Sequence, residues 1–151
     1  MPQDDTYLTL PTIDLKKYKE SATRADIIKD YNMDQLSQLQ VSKQADVLLL
    51  FYIMGHLFSN DEKRVNFDYY ENKCLHDSSL SLSTHSILAN DIGRSEASYE
   101  FFKRAAKIDL GENMDTPKNG IHAASLGGVW QCTINGFAGV IINTGEDNYL
   151  T

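Results

Sequence analysis

Asp34-Gln35-Leu36-Ser37-Gln38-Leu39-Gln40-Val41-Ser42-Lys43-Gln44-Ala45-Asp46-Val47-Leu48-Leu49-Leu50-Phe51-Tyr52-Ile53-Met54 decides the fold class of this chain. Leu36, Leu39, Gln40, Lys43, Val47, Leu50, Phe51 and Met54 keep i, i+3, i+4 spacing, the period of one helical face. Asn32 stands before them as a candidate N-cap, with Gln35 three residues on in capping-box position. The spacing predicts a helix over 34–58, ending near Gly55 to Phe58.

Toward the C-terminus, Ser59-Asn60-Asp61 is expected to cap a short helix through about Tyr70, and residues 71–81 read as irregular. Ser83 to Ile92 reads as helix with Gly93 as its stop. Ser95 is expected to cap another, with Tyr99, Phe102, Ala105 and Ala106 forming one face. Gly111 to Gly120 reads as a loop. A last helix is predicted from Ala123 to about Asn135, ending at Gly136. Toward the N-terminus, a short amphipathic turn is expected around Thr23 to Asp30. Residues 1–20 hold Pro2 and Pro11 and read as an extended lead-in. Strand signals are weak and confined to the termini. The predicted fold class is therefore all-α, and the pairing of 34–58 with 61–70 and of 83–92 with 95–106 suits a bundle or a toroid of helical hairpins.

With 151 residues, the chain is long enough for one domain with a real core. Hydrophobic residues make up 42% and charged residues 23%, ordinary values for a globular protein. A net charge of −7 argues against a nucleic-acid partner, which needs a basic face. No segment approaches ~18 consecutive apolar residues, so no membrane span is predicted. The acidic start Met1-Pro2-Gln3-Asp4-Asp5 lacks the cationic region of a usual signal peptide, and the cytoplasm is the expected compartment. Cys74 and Cys132 are far apart and read as reduced, partly buried thiols.

Two runs carry the chemistry: His76-Asp77-Ser78-Ser79-Leu80-Ser81, and Gly120-Ile121-His122-Ala123-Ala124-Ser125-Leu126-Gly127-Gly128-Val129-Trp130. Hydroxyls, glycines and a histidine beside helical sequence are the ingredients of anion-binding loops at helix ends, where free N–H groups let an oxyanion approach. The plainer readings are helix capping by Ser78 or Ser79 and a structural role for His122, His76 and His85. Lys43 and Gln44 are expected mid-helix. Lys43 shares a track with Leu39 and Val47, and a lysine aimed inward needs an anionic partner such as phosphate. His76, Asp77, His85 and His122 are the residues a zinc site would need, yet neither H-E-x-x-H nor paired C-x-x-C spacing is present, and no metal is predicted. Neither cysteine has a nucleophile signature, and G-x-S-x-G and G-x-x-x-x-G-K-[ST] are both absent.

At these residues the chain resembles glycoside hydrolase family 65, the inverting disaccharide phosphorylases of maltose, kojibiose, nigerose, trehalose and trehalose 6-phosphate. The resemblance rests on Lys43-Gln44-Ala45-Asp46-Val47, on His76 to Ser81 with His85, and on Gly120 to Gly128. Asp109-Leu110 and Gly136-Phe137-Ala138-Gly139 fall in family order as well. It implies an (α/α)6 toroid, of which residues 21–140 look like the C-terminal part of the catalytic domain, with 141–151 a tail toward a C-terminal β-domain. The family's N-terminal β-sandwich and helical linker have no counterpart here.

The implied reaction is phosphorolysis of an α-glucoside with inversion, giving β-glucose 1-phosphate. Its partners are a disaccharide and inorganic phosphate as co-substrate, with no cofactor. By the resemblance, Ser78, Ser79 and His122 bind phosphate with backbone help from Gly127 and Gly128, and Lys43 and Gln44 contact sugar or phosphate. The family's general-acid glutamate lies upstream of the Lys-Gln pair. Only Glu20 is a glutamate before Lys43, nothing around it matches, and no catalytic residue is assigned. Ile141 stands where the family usually has an arginine. The chain alone is expected to be inactive, and to form homo-oligomers or to associate with an N-terminal half. An inverting hydrolase on the same toroid and a non-catalytic sugar- or phosphate-binding or self-associating module are the alternatives.

Overall fold

The computed structural model describes residues 2, 5–19, 26–110 and 120–140. Its helices are α1 (Lys16–Lys19), α2 (Asp26–Asp30), α3 (Met33–Leu36), α4 (Asp46–Ile53), α5 (Asn60–Glu71), α6 (Ser81–Asp91), α7 (Ser95–Ala106) and α8 (Ala123–Gln131). Short 3-10 turns cover Tyr7–Thr9 and Gly55–Leu57, and α8 runs on as a π-helical turn over Cys132–Phe137. Among the described residues the fold is all-α, its nearest approach to a strand being one parallel bridge between Ser42 and Cys74.

The long helix expected over 34–58 is instead broken in two. Asn32 and Gln35 form the expected capping box, but the helix they start lasts a single turn. Gln40 is drawn out of helical geometry by tertiary bonds. Its N–H donates to the Pro11 carbonyl at 2.9 Å, its amide donates to the Leu10 carbonyl at 2.9 Å, and the Tyr69 hydroxyl donates to it at 2.6 Å. Ser42 then pairs with residues 73 and 75. Fixed partners at residues 40 and 42 outweigh a few tenths of a kcal/mol per residue of helix propensity. Lys43 accordingly lies in an exposed bend rather than facing inward along a helix.

Residues 1–20 also differ from a purely extended lead-in. Tyr7 and Leu15 are buried, and Tyr7 packs on Tyr70 with ring centroids 5.9 Å apart. Downstream, Ser59 and Glu62 form a capping box at the start of α5. Arg94, not Ser95, is the N-cap of α7. The buried face of α7 is Ser98, Phe101 and Ala105, whereas Tyr99 is exposed and stacks on Phe102. Residues 20–25 and the expected loop over 111–119 lie outside the described residues, as do Glu20, Ile141 and the tail.

Helix α6 is the central element, with Ser81, Leu82, Ser83, His85, Ser86, Ile87, Leu88 and Ala89 all buried. Burial on nearly every side explains why it reads as neither cleanly amphipathic nor strongly apolar. Against α7 it uses small residues. Ser86 Oγ donates to the Ser98 carbonyl at 2.9 Å, and Ser98 Oγ returns a bond to the Ser86 carbonyl at 2.8 Å. Against α8 the contact runs through Gly128, Cys132 and Gly136, spaced four apart on one face. A Cβ on Gly128 would lie 2.8 Å from Ser83 Cβ, Cys132 Sγ meets the Ser83 carbonyl at 3.4 Å, and Asn90 donates to the Gly136 carbonyl at 2.9 Å. The aliphatic and aromatic core, including Leu48, Phe51, Phe67, Tyr70, Leu88, Ile92 and Phe101, fills the other side of α6.

Candidate anion-binding cleft

Two helices, α4 and α6, begin at one cleft of about 160 Å3, and a third, α8, lies along it. Gln44, Ala45, Asp46 and Leu49 approach it from the start of α4. Leu80, Ser81, Ser83, Thr84 and His85 come from the first turn of α6, and Ala124, Gly128 and Gln131 from α8. The first N–H groups of a helix lack intrahelical partners and carry the positive end of its dipole. Two such ends at a hollow lined by Ser81, Ser83 and Thr84 suit an anion or a hydroxyl-rich ligand. Asp46 is the one carboxylate in the lining, and Gln44 donates to it at 3.3 Å.

Of the residues singled out in the sequence, Gln44 and Gly128 line the cleft, while Lys43, Ser78, Ser79, His122 and Gly127 stand outside its lining. Ser78 is tied to it, because its hydroxyl donates to Gln44 at 2.9 Å and accepts from the Leu80 N–H at 3.3 Å. The backbone donors expected from Gly127 and Gly128 are not available. Both residues lie in the second turn of α8, where each N–H belongs to the helical ladder. What Gly128 supplies is close approach to Ser83, and Gly127 has open space where a Cβ would stand.

His122 is the N-cap of α8. Its Nδ1 and its backbone N–H both meet the Asp109 carboxylate, at 2.9 and 3.0 Å. The carboxylate thereby fixes the tautomer with the proton on Nδ1. Asp109 was visible in the sequence only as part of the family order.

The His76 run builds a buried polar cluster that spacing alone did not reveal. His76 and His85 meet Cys74, with a ligand-type atom of each within 4.8 Å, while Asp77 and His122 are not part of the group. Ser81 Oγ lies 3.0 Å from His76 Nδ1, 3.4 Å from Cys74 Sγ and 3.4 Å from His85 Nδ1, so a hydroxyl already stands among the three donors. On the far side, His76 Nε2 meets Glu71 Oε2 at 2.8 Å, and Lys19 Nζ meets the other Glu71 oxygen at 3.0 Å. Burial works against the Glu71 charge, but His76 and Lys19 hold its carboxyl down at about 2. Burial likewise opposes the His76 charge, yet its Cys74 and Glu71 partners raise it above the usual imidazole range. His85 is pushed down to about 3 by burial and by the neighbouring His76 charge, so it is neutral at pH 7 and donates from Nδ1 to the Ser81 carbonyl at 2.8 Å. His76 is also the one non-glycine residue with positive φ, at 56°, among the described residues. Such strain persists where surrounding contacts over-determine it.

The described residues form an all-α domain with a cleft lined from α4, α6 and α8. Residues 1–131 match the glycosyl hydrolase family 65 central catalytic domain. The kojibiose phosphorylase of Halothermothrix orenii is 43% identical over 150 residues, which is 99% of this chain and 19% of that protein. The α,α-trehalose phosphorylase of Thermoanaerobacter brockii is 40% identical over 97% of this chain and 19% of its own length. A solved chain described as a kojibiose phosphorylase from human microbiome superposes with a TM-score of 0.84 and 32% identity, covering 95% of this chain and 20% of that one. The chain belongs to glycosyl hydrolase family 65. It spans about a fifth of the length of the phosphorylases it matches, and no helix among the described residues is long and apolar enough to cross a membrane.

Proposed function

We propose that this chain forms the phosphate-side wall of an inverting disaccharide phosphorylase. The carrying observation is the convergence of the α4 and α6 starts on one hydroxyl-lined cleft whose other wall is the flank of α8. In phosphorolysis with inversion, phosphate attacks the anomeric carbon while an acid protonates the leaving oxygen. Phosphate is already an anionic nucleophile and needs no base. It needs donors that hold it in line. Gln44 addresses the sugar or phosphate from the cleft wall with Ser78 bonded behind it, while Lys43, Ser79 and His122, to which the family resemblance gives ligand-binding roles, stand outside the lining, His122 with its proton fixed on Nδ1 by Asp109.

None of the glutamates among the described residues, Glu62, Glu71, Glu96 and Glu100, lines the cleft. Glu71 is ionised down to about 2, and Glu62 is held as a cap partner by Ser59. We assign the acid to the remainder of the catalytic domain and expect no phosphorolytic turnover from the 151-residue chain alone. Ile121, Leu126, Trp130 and Phe137 are exposed along the start, outer face and end of α8. We assign this apolar surface to contact with further hairpins of the toroid, or with a second copy in their absence. Two free, buried cysteines fit a reducing cytoplasm.

The test is reconstitution. The chain is co-expressed with the preceding part of a family 65 phosphorylase, and glucose 1-phosphate is measured with kojibiose, trehalose or maltose. Formation of glucose 1-phosphate only in the presence of both pieces and phosphate supports the reading. Glucose release independent of phosphate marks a hydrolase instead.

A further inference from the structure

Cys74, His76 and His85 are spaced in the sequence as in no zinc motif, yet the fold closes them into one group with Ser81, none of the four more than 6% exposed. Ser81 Oγ lies 3.0 Å from His76 Nδ1 and 3.4 Å from both Cys74 Sγ and His85 Nδ1, and Cys74 Sγ lies 3.7 Å from His76 Nδ1. Tetrahedral zinc holds nitrogen and oxygen at about 2.0–2.2 Å and sulfur at about 2.3 Å, which sets its ligand atoms about 3.3–3.6 Å apart. The spacing of these four atoms is close to that of such a tetrahedron.

The shell behind the histidines fits as well. A metal-bound imidazole donates its other N–H to a carboxylate, carbonyl or water. Glu71 Oε2 stands 2.8 Å from His76 Nε2 and 3.5 Å from His85 Nε2, so one carboxylate oxygen faces the second nitrogen of both rings, and Lys19 holds the other oxygen. His85 Nε2 is buried with no hydrogen-bond partner, an orphan that calls for a cause. With the His85 proton on Nε2 instead of Nδ1, the orphan becomes a donor toward Glu71, and Nδ1 exchanges the Ser81 carbonyl for a metal. We propose that Cys74, His76, His85 and the Ser81 hydroxyl form a structural site for zinc, with Glu71 as its outer carboxylate. The charges close. The two positive charges of the cation meet the Cys74 thiolate, whose proton is released on binding, and the Glu71 carboxylate. Two imidazoles and a thiolate select zinc over magnesium or calcium, which take oxygen ligands. Because the group is sealed in the core, the cation enters as the chain folds. The site stands apart from the phosphate reading and does not depend on it.

The experiment expresses the full 151-residue chain in medium supplemented with zinc or with cobalt and measures retained metal and electronic absorption after gel filtration. One cation per chain is expected. The cobalt form should show a thiolate-to-cobalt charge-transfer band and the intense visible bands of a tetrahedral site. Cys74→Ala should abolish the charge-transfer band, whereas Cys132→Ala, which removes the other thiol, should keep it. Glu71→Gln should weaken metal retention by roughly tenfold or more. Should Cys74→Ala fail to fold, 15N NMR of the wild type decides: zinc should leave Nδ1 of His76 and of His85 metal-bound and both Nε2 atoms protonated. A wild type that retains no metal overturns the proposal. So does a charge-transfer band that survives Cys74→Ala, or metal held without any thiolate band, as on the exposed His56.

Discussion

The two runs that look alike in sequence, His76 to Ser81 and Gly120 to Trp130, behave as different materials in the fold. The first is polar through its depth: His76, Ser81 and the partners Glu71, Cys74 and His85 form one buried network ending at the cleft. The second is polar only at its start, where Asp109 holds His122, and beyond that it is a packing surface whose Gly128 lets α8 lie against Ser83. Small and hydroxylated residues therefore serve two ends: satisfying donors inside a core, and bringing two backbones close. Composition does not separate these uses, but position relative to the helix start does.

The largest effect that separates the two regions is on acid stability. His85 has a folded pKa near 3 against 6.5 for the free side chain, and Glu71 near 2 against 4.5. Both are depressed, so the stability each contributes is complete above its unfolded value and is lost as pH falls. For His85 the loss runs from about 6.5 toward 3, and for Glu71 from about 4.5 toward 2. Urea unfolding at pH 7 and pH 4 should differ by ~2 kcal/mol or more, and His85→Gln should shrink that difference.

Next comes packing. Gly128→Val forces Ser83 to move and should cost about 1–3 kcal/mol in urea unfolding. Asp109→Ala removes two bonds to His122 and should cost about 1–2 kcal/mol, with Asp109→Asn recovering part of it. The smallest effect has the opposite sign. Gly127→Ala fills open space in a helix interior and should stabilise by about 0.5–1 kcal/mol. Equal responses at Gly127 and Gly128 would erase the distinction between an open and a close-packed glycine.

The helices that stand on local signals were legible in the sequence. Asn32 with Gln35 and Ser59 with Glu62 cap as their spacing requires, and Gly93, at φ 81°, follows α6 as its stop. What was not legible depends on distant partners. No local rule announces that Gln40 will bond to residues 8, 10 and 69, and those bonds are what break the 34–58 helix and leave Lys43 in a bend. On α7, Ala105 faces inward as expected, but it is joined by Ser98 and Phe101 rather than by Tyr99 and Phe102, which stack on each other instead. The candidate site was half legible. Gln44 and Gly128 line the cleft, as do Ser81, Thr84 and His85 from the start of α6, which lies two residues before the expected Ser83. One signal was available and unused: the four-residue spacing of Gly128, Cys132 and Gly136 marks the face that α8 turns toward α6.

The central claim is that the starts of α4 and α6, with the flank of α8, form one phosphate cleft. Its most direct test is amide chemical-shift mapping of the chain during titration with inorganic phosphate at constant ionic strength. The account predicts saturable shifts concentrated at residues 44–46, 80–85 and 122–128. Shifts that are absent, or that scatter over exposed lysines such as Lys29 and Lys107 without saturating, would contradict it.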